Sequence, residues 1–196
     1  MLKIHTLPLG AYQTNCYIVH NDTRQDCLVI DPGYEPAEVL SRLETLGLAP
    51  AAVFLTHGHF DHVGGVKHIA AETDCRVYLN PEDLSMPPMM TNGPLYYTDT
   101  YAEGDVLNIA GLEVRVLHTP GHTPGSVCLL IGDAMFSGDT LFAGSCGRTD
   151  LPGGSRATIE RSLRRLAGIE KNYAVYPGHG ESTTLDEEKM YNPYLR

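Results

Sequence analysis

AVFLTHGHFDHVGG, residues 52–65, joins an apolar run to a dense cluster of polar side chains. The apolar run at 52–55 predicts a short buried strand. The polar side chains that follow it are His57, His59, Asp61 and His62. Imidazoles and a carboxylate at the carboxyl end of a strand are typical of a functional site in an open α/β sheet. The stretch therefore predicts part of a metal site, and the rest of the chain must supply the missing ligands.

The length of the chain indicates a single domain over residues 1–196. A chain of this size buries roughly 70% of its surface on folding, so it needs no disulfide bonds for stability. Its five cysteines are odd in number and widely scattered, and no CxxC pair occurs. This spacing argues against a zinc ribbon, a redox-active dithiol and the disulfide framework of a secreted protein.

The chain carries 24 acidic and 14 basic residues, which gives a formal net charge of -10. Nucleic acid would be repelled, because no cluster of lysine and arginine offsets this charge. The first residues lack the basic-then-apolar pattern of a signal peptide, and no apolar run approaches the ~20 residues of a transmembrane helix. We therefore expect a cytoplasmic protein that acts on a small molecule and binds neither nucleic acid nor membrane.

Apolar periodicity divides the chain into two halves of similar organisation. The first half is predicted to contain strands at 2–7, 14–20, 26–30, 52–55 and 75–79, with helices at 35–46 and 63–72. The second half is predicted to contain strands at 106–109, 112–117, 126–131, 134–137 and 174–176, with a helix at 155–167. Strands followed by helices, repeated without a linker, predict two layers of sheet with helices outside.

The segment 84–101, LSMPPMMTNGPLYYTDTY, has three prolines, three methionines and three tyrosines but no clear period. We expect a loop or short irregular helices there. Methionine and tyrosine give an adaptable apolar contact surface, which is typical of a flap that covers a substrate. A surface excursion or a subunit contact would have the same composition, so both interpretations stay open.

Three more polar residues follow apolar strands and are flanked by glycine or proline, which is the arrangement of the opening stretch. They are His122, Asp139 and His179. A single histidine in such a place is usually structural, but together with the opening stretch these residues give five histidines and two aspartates. That number suits two divalent ions, each with three protein ligands, a shared carboxylate and open positions for water.

The sequences THGHFDHVGG, PGHTPGS, GDTLF and PGHG together resemble the metallo-β-lactamase superfamily, and specifically its short, bacterial, glyoxalase II-like (hydroxyacylglutathione hydrolase-like) branch. The resemblance covers nearly the whole chain. It implies an α/β fold in which four layers form an αββα sandwich. It also implies that the first metal is bound by His57, His59 and His122, and the second by Asp61, His62 and His179, with Asp139 bridging both. We expect zinc, although iron and manganese suit the same ligands.

Two cations about 3.5–4 Å apart can share a water molecule, lower its pKa towards neutrality and so provide hydroxide. They also polarise a carbonyl and stabilise the tetrahedral oxyanion, and the resemblance implies that Asp61 orients the hydroxide. A thioester suits this equipment, because a thiolate with a conjugate-acid pKa of ~8.5 leaves without a strong general acid. Lactones and other esters fit the same chemistry. No nucleophilic serine or cysteine is required, and Cys146 is not expected to be catalytic.

The chain differs from eukaryotic-type glyoxalase II, since only seventeen residues follow His179 and the helical region that helps to bind glutathione is missing. In glutathione-binding members of the branch, a basic residue after the GDTLF strand contacts the thiol carrier. Arg148 occupies that position, so we expect it to bind an anionic part of the substrate. A loop arginine paired with Asp150 is the alternative. Another thiol carrier than glutathione also remains open.

The CGRTD stretch at 146–150 is similar to that of persulfide dioxygenases as well, which are mononuclear iron oxygenases. That resemblance implies that the histidines of the HxH pair and Asp139 bind one iron. A non-catalytic metal-binding module is the third hypothesis. The complete set of seven ligands argues against it, because a decayed site would have lost at least one of them.

Overall fold

The computed structural model describes residues 1–195 and contains two six-stranded sheets that pack face to face. The first sheet consists, in spatial order, of β1 (Leu2–Leu9), β2 (Thr14–Asn21), β3 (Asp26–Ile30), β4 (Ala49–Phe54), β5 (Arg76–Leu79) and β6 (Asp99–Thr100). Strands β1, β2 and β3 are antiparallel neighbours, whereas β3, β4, β5 and β6 run parallel.

The second half of the chain forms the second sheet and one small additional ladder. Its strands are β7 (Val106–Ile109), β8 (Leu112–His118), β9 (Val127–Ile131), β10 (Ala134–Gly138), β11 (Leu141–Phe142), β12 (Ser145–Cys146), β13 (Ala174–Pro177) and β14 (Thr183–Thr184). The spatial order in the sheet is β14-β13-β10-β9-β8-β7, and β11 pairs only with β12. Strands β10 and β13 are parallel, while β7, β8, β9 and β10 are joined as antiparallel neighbours.

Within the described residues, six α-helices cover the sheets or lie in the loops between strands. They are α1 (Pro36–Leu46), α2 (Phe60–Val63), α3 (Val66–Thr73), α4 (Pro88–Thr91), α5 (Arg156–Ala167) and α6 (Leu185–Tyr191). Helix α1 ends at Gly47, whose φ of 66° is in the left-handed region that glycine favours. Helix α5 begins after Ser155, whose hydroxyl accepts a hydrogen bond from the backbone N–H of Thr158.

Three apolar cores separate the layers, and the alternation of side chains along the strands explains them. In β3, Leu28 and Ile30 point into the core between the two sheets, whereas Val29 points into the core beneath α1 and α3. In β10, Phe136 points into the central core and Met135 into the core beneath α5. The order helix, sheet, sheet, helix confirms the predicted four-layer αββα sandwich of the metallo-β-lactamase fold.

Most predicted elements are present with shifts of a few residues at their ends, and one prediction needs correction. The helix expected at 63–72 is α3, which begins only at Val66, and residues 60–63 form a separate short helix, α2, before Gly64 and Gly65. The two-residue strands were not predicted, because two residues show no period. Helix α6 was not predicted either. Within residues 1–195, no helix has the length and apolar character needed to cross a bilayer. The cysteines are free thiols, and all except Cys146 are buried.

Candidate metal centre

The predicted ligands follow the carboxyl ends of four strands and meet at one edge of the sandwich. The opening stretch follows β4, His122 follows β8, Asp139 follows β10 and His179 follows β13. Strands β8, β10 and β13 all run in the same direction, since β8 and β10 are both antiparallel to β9. Their carboxyl ends therefore bring ligands from distant parts of the sequence to one place.

The first group of ligand-type side chains is His57, His59 and His122. One ring nitrogen from each lies within 4.8 Å of those of the others, and all three residues are buried. The nitrogens Nδ1 of His59 and Nε2 of His122 are 2.8 Å apart. This is the set that the sequence resemblance implies for the first metal.

The second group is Asp61, His62 and His179, whose ligand atoms also lie within 4.8 Å of one another. The Oδ2 atom of Asp61 is 3.6 Å from Nε2 of His62 and 3.3 Å from Nε2 of His179. Thr14 Oγ1 donates a hydrogen bond of 3.0 Å to the same oxygen and so helps to hold the carboxylate in place. The two groups together bring six of the seven predicted ligands into two clusters.

Asp139, the seventh, lies between the clusters. Its Oδ2 atom is 3.4 Å from Nε2 of His122, in the first group. Its Oδ1 atom is 3.4 Å from Nε2 of His62, and its Oδ2 atom is 3.6 Å from Nε2 of His179, both in the second group. The carboxylate is therefore in reach of both groups, as a bridging ligand must be.

Hydrogen bonds on the outer side of the rings determine which nitrogen faces the centre. His122 Nδ1 donates to the carbonyl of Arg148 at 2.8 Å, and His179 Nδ1 donates to the carbonyl of Tyr12 at 3.1 Å. His62 Nδ1 lies 2.9 Å from the carboxylate of Asp31. When Nδ1 alone carries a proton, each ring presents the lone pair of Nε2 to the centre, which is how histidine binds metals in proteins.

Asp31 connects the two groups through one hydrogen-bond network. Its carboxylate accepts from His62 Nδ1, from the backbone N–H of Thr56 at 2.8 Å and from Thr56 Oγ1 at 2.6 Å. Because Thr56 Oγ1 donates to Asp31, it can accept from His57 Nδ1, which is 3.1 Å away. One carboxylate thus orients a histidine of each group. Asp31, His57 and His62 also satisfy the spacing of a third ligand group, but these hydrogen bonds already occupy the Asp31 oxygens.

The donor set fits a metal ion. Within residues 1–195, the buried side-chain atoms without a hydrogen-bond partner are Nε2 of His57, His59 and His62 and Oδ1 of Asp139. Buried polar atoms nearly always have a partner, so this concentration indicates that a cation completes the cluster. Histidine nitrogens and carboxylate oxygens suit zinc, iron and manganese.

Two histidines of the first group, His57 and His59, have lowered pKa values that favour the uncharged form. Burial, together with the neighbouring His62, lowers the pKa of His57 well below its usual value. Burial and the neighbouring His122 lower the pKa of His59 to about 4. Neutral imidazoles retain the lone pair that a metal ion requires, and no proton has to be removed from them at neutral pH.

In the second group, neighbouring carboxylates favour the positively charged form of His62. Burial alone would lower the pKa of His62, but the carboxylates of Asp139 and Asp31 outweigh it and raise this pKa well above its usual value. Burial would raise the pKa of Asp61, but the hydrogen bond with His179 and the charge of His62 lower it to about 2. The pKa of Asp139 is lowered as well, since His62 and His122 outweigh its burial. These ionised carboxylates make the centre attractive to a cation.

Two glycines allow the second sheet to approach the centre. Gly138, just before Asp139, has a φ of +48°, and a Cβ atom there would lie 2.4 Å from Thr56 Oγ1. Gly178, just before His179, would place a Cβ atom 2.2 Å from Oδ1 of Asp139. No side chain fits in either space, so these positions require glycine if the ligands are to keep their distances.

Neither Asp31 nor Asp83 was identified from the sequence as a residue that orients the ligands. Asp83 is fully buried, and its carboxylate accepts hydrogen bonds from Gly58 N at 2.7 Å, Thr123 Oγ1 at 3.0 Å and Gly125 N at 2.6 Å. Gly58 lies between two ligands of the first group, and Thr123 follows the third. Asp83 therefore joins the two loops that carry this group. No local pattern predicts such a contact, although Asp31 could have been noticed at the end of a buried strand.

A cavity of about 610 Å³ opens over the ligands. Its walls include candidate metal ligands and Tyr12, Phe60, Met90, Phe142, Ser145, Cys146, Arg148 and Leu151. Arg148 lines this cavity, and its guanidinium forms two hydrogen bonds of 2.7 Å with Asp150, which is the pairing of the alternative interpretation. Met90 brings the segment 84–101 into the cavity wall, which agrees with a role beside the substrate.

The sequence pattern of the metallo-beta-lactamase superfamily matches residues 9–179. The chain belongs to this superfamily. One relative, "Probable metallo-hydrolase YqgX" of Bacillus subtilis, is 36% identical to this chain. The alignment covers 99% of this chain and 98% of that protein. Hydroxyacylglutathione hydrolase GloC of Haemophilus influenzae is 33% identical over the same shares of the two chains. These relatives support a metal-dependent hydrolase.

Solved structures confirm the metallo-beta-lactamase fold. BLEG-1 B3 metallo-beta-lactamase is 34% identical with a TM-score of 0.88, covering 100% of this chain and 99% of that one. TTHA1623 in a di-iron-bound form is 40% identical with a TM-score of 0.85, covering 97% and 100%. ETHE1 from Myxococcus xanthus is 29% identical with a TM-score of 0.82, covering 97% and 83%. Hydroxyacylglutathione hydrolase and metallo-beta-lactamase are the names of different activities, so these similarities do not define the substrate of this protein.

Proposed function

We propose that the protein is a binuclear metal-dependent hydrolase that cleaves the thioester bond of an acyl-glutathione or a related acyl-thiol. The observation that carries the proposal is the carboxylate of Asp139, which lies within 3.6 Å of imidazole nitrogens from both ligand groups. A carboxylate between two sets of three ligands suits a pair of divalent ions. The similarity to hydroxyacylglutathione hydrolase GloC supports this class of substrate.

In this proposal each ligand group would hold one ion, and Asp139 would be a ligand of both. When bound, such ions activate water as a nucleophile and polarise the substrate carbonyl. Asp61 orients the attacking water. Thr14 Oγ1 holds Oδ2 of Asp61 at 3.0 Å, which leaves Oδ1 to accept a hydrogen bond from that water. Asp31 and the backbone carbonyl of Arg148 keep His62 and His122 aligned during the reaction.

A thioester fits the groups present better than an amide does. A thiolate leaves readily because the pKa of its conjugate acid is ~8.5, so no strong general acid is needed. Cys146 lines the cavity, but burial raises the pKa of its thiol. A protonated thiol is a poor nucleophile, so the proposal assigns Cys146 no part in the chemistry.

Arg148 is proposed to contact an anionic part of the thiol carrier. Its side chain is 61% exposed and lines the cavity, where Asp150 holds the guanidinium. An incoming carboxylate must therefore compete with Asp150 for the same N–H groups. Exposed ion pairs of this kind contribute little to stability, so exchange of one carboxylate for another is inexpensive in free energy.

A mononuclear iron persulfide dioxygenase is the second candidate, because the CGRTD stretch at 146–150 resembles that class. The related TTHA1623 has a di-iron-bound form, which suits a binuclear centre and leaves iron open as its metal. The complete second group, Asp61, His62 and His179, favours the binuclear hydrolase over the dioxygenase. The same completeness argues against a metal-binding module without activity.

Metal analysis of protein purified without added metal, combined with turnover assays, tests the proposal. About two ions per chain and hydrolysis of S-lactoylglutathione or another acyl-glutathione support it. One iron per chain, with oxygen consumption on glutathione persulfide, would assign the dioxygenase instead, and neither metal nor turnover would leave the binding module. Asp139→Ala should abolish hydrolysis, and wild-type turnover in that variant would refute the binuclear assignment.

A further inference from the structure

One wall of the cavity is more apolar than the hydrolysis of a small hydroxyacyl group requires. Phe60 is the first residue of α2, between the candidate ligands His59 and Asp61, and it lines the same cavity as they do. Tyr12 packs on it edge to face, with ring centroids 5.3 Å apart. Met90 completes this wall from α4, which packs against α2. We define these three side chains, Tyr12, Phe60 and Met90, as the apolar wall.

The apolar wall has little to offer a polar group. Phe60 has no hydrogen-bonding atom, and the thioether of Met90 is only a weak acceptor, so the phenolic hydroxyl of Tyr12 is the one strong hydrogen-bonding group of this wall. Against Phe60 and Met90, a 2-hydroxyl on the acyl group would lose its water without gaining a strong partner, which is unfavourable. The charged peptide of a thiol carrier is equally unsuited to this wall, whereas the guanidinium of Arg148 provides a cationic contact elsewhere in the same cavity.

The size of the cavity permits a longer acyl group. Its volume of about 610 Å³ is within the roughly 300–1,000 Å³ of pockets that bury drug-sized ligands. The acyl group shares this space with the part of the thiol carrier that reaches Arg148. Apolar contact with a longer chain would remove both the chain and the exposed ring of Tyr12 from water.

We infer that the apolar wall binds the acyl group, and that the protein prefers thioesters of unsubstituted aliphatic acids of four or more carbons to those of small 2-hydroxy acids. This inference rests on the proposed thioester hydrolysis. Full burial of one methylene group contributes roughly a fourfold preference. Because the cavity is open to solvent, we expect S-hexanoylglutathione to exceed S-lactoylglutathione in kcat/KM by at least about 10-fold.

The test uses the metal-loaded protein and three substrates with one carrier: S-acetyl-, S-lactoyl- and S-hexanoylglutathione. Hydrolysis is followed by the loss of thioester absorbance. Met90→Gln keeps the size of the side chain but makes it polar, so it should reduce the ratio of kcat/KM for hexanoyl over acetyl by about 10-fold. Met89→Gln is the matched control, because Met89 is 78% exposed and Met90 only 8%. It should keep the wild-type ratio.

The outcomes separate this inference from the proposed function. Cleavage of all three substrates with lactoyl equal to or above hexanoyl would overturn the inference and leave the thioester hydrolase intact. Cleavage of none would overturn the hydrolase proposal itself. A normal hexanoyl-to-acetyl ratio in Met90→Gln would remove Met90 from the acyl site. Because the chain-length comparison is made on the unaltered protein, it decides the main point even if the variant does not fold.

Discussion

Removal of the Asp83 carboxylate should loosen the first ligand group without touching a ligand. Asp83 accepts hydrogen bonds from Gly58 N on one oxygen and from Gly125 N on the other. Thr123 Oγ1 donates to it as well. Each buried N–H left without a partner costs about 1–3 kcal/mol. Asp83→Ala leaves two of them, so we expect it to lower the free energy of unfolding by about 2–6 kcal/mol.

Asp83→Asn should be milder for two reasons. The amide has one oxygen, so only one of the two N–H groups, from Gly58 or Gly125, loses its acceptor. Burial also raises the pKa of Asp83, which means that the ionised carboxylate is held in the fold at a cost, and the neutral amide avoids this cost. A loss of about 1 kcal/mol follows for this variant. Metal affinity should fall about 10–100-fold in both variants, as for other residues that orient metal ligands.

The measurement is urea denaturation of metal-free protein, so that metal binding does not alter the apparent stability. Metal affinity is measured separately by competition with a chromophoric chelator. Asp133→Asn is the control, because Asp133 is 91% exposed and only pairs with Lys171; its stability should change by less than about 0.5 kcal/mol. If Asp83→Ala unfolds at the wild-type urea concentration and binds metal with wild-type affinity, the reasoning is wrong.

Three other predictions concern the same centre. Asp31→Asn keeps a residue type that tolerates the observed φ of 49°. It weakens the hydrogen-bond acceptor for His62 and Thr56, so the affinity for zinc should fall about 10–100-fold. An unchanged affinity would contradict the role of this hydrogen-bond network. Arg148→Ala should raise KM for an anionic thioester more than for a neutral one, and Asp150→Asn, which frees the guanidinium, should have the opposite effect; equal effects on both substrates would indicate a structural role. An ion present at 100 times its Kd stabilises by about 2.7 kcal/mol, so chelation should lower Tm by about 5–10 °C, and an unchanged Tm would show that the native state binds no ion.

The clustering of the candidate ligands could be predicted because each of them follows a recognisable local pattern. His122, Asp139 and His179 come directly after apolar strands and beside glycine or proline, as the opening stretch does. Such a pattern places a side chain at the end of a strand, and the alternation of strands and helices then places the strand ends at one edge. The layers of the fold follow from the same periodicity.

The residues that orient the ligands could not be predicted in this way. Asp83 acts through contacts 25 to 42 residues away along the chain, and no period or spacing reports such contacts. Arg148 orients His122 with its backbone carbonyl, which no side-chain pattern reveals. Helix α6 did have a local signal, since Thr184 accepts from the backbone of Glu187 in the T-x-x-E arrangement of a capping box. Helix α6 has few apolar positions, so its apolar periodicity is too weak to predict it.

The opening stretch contributes residues to both ligand groups but completes neither of them. Each ligand group takes two residues from this stretch and its third from the second sheet, His122 for one and His179 for the other. The shared carboxylate, Asp139, also comes from the second sheet. The distances in the centre are therefore fixed by the packing of one sheet on the other, and the specific motif supplies only half of the geometry. A substitution in the core between the sheets that shifts them by even part of an ångström should consequently disturb both groups at once, although it lies far from every ligand.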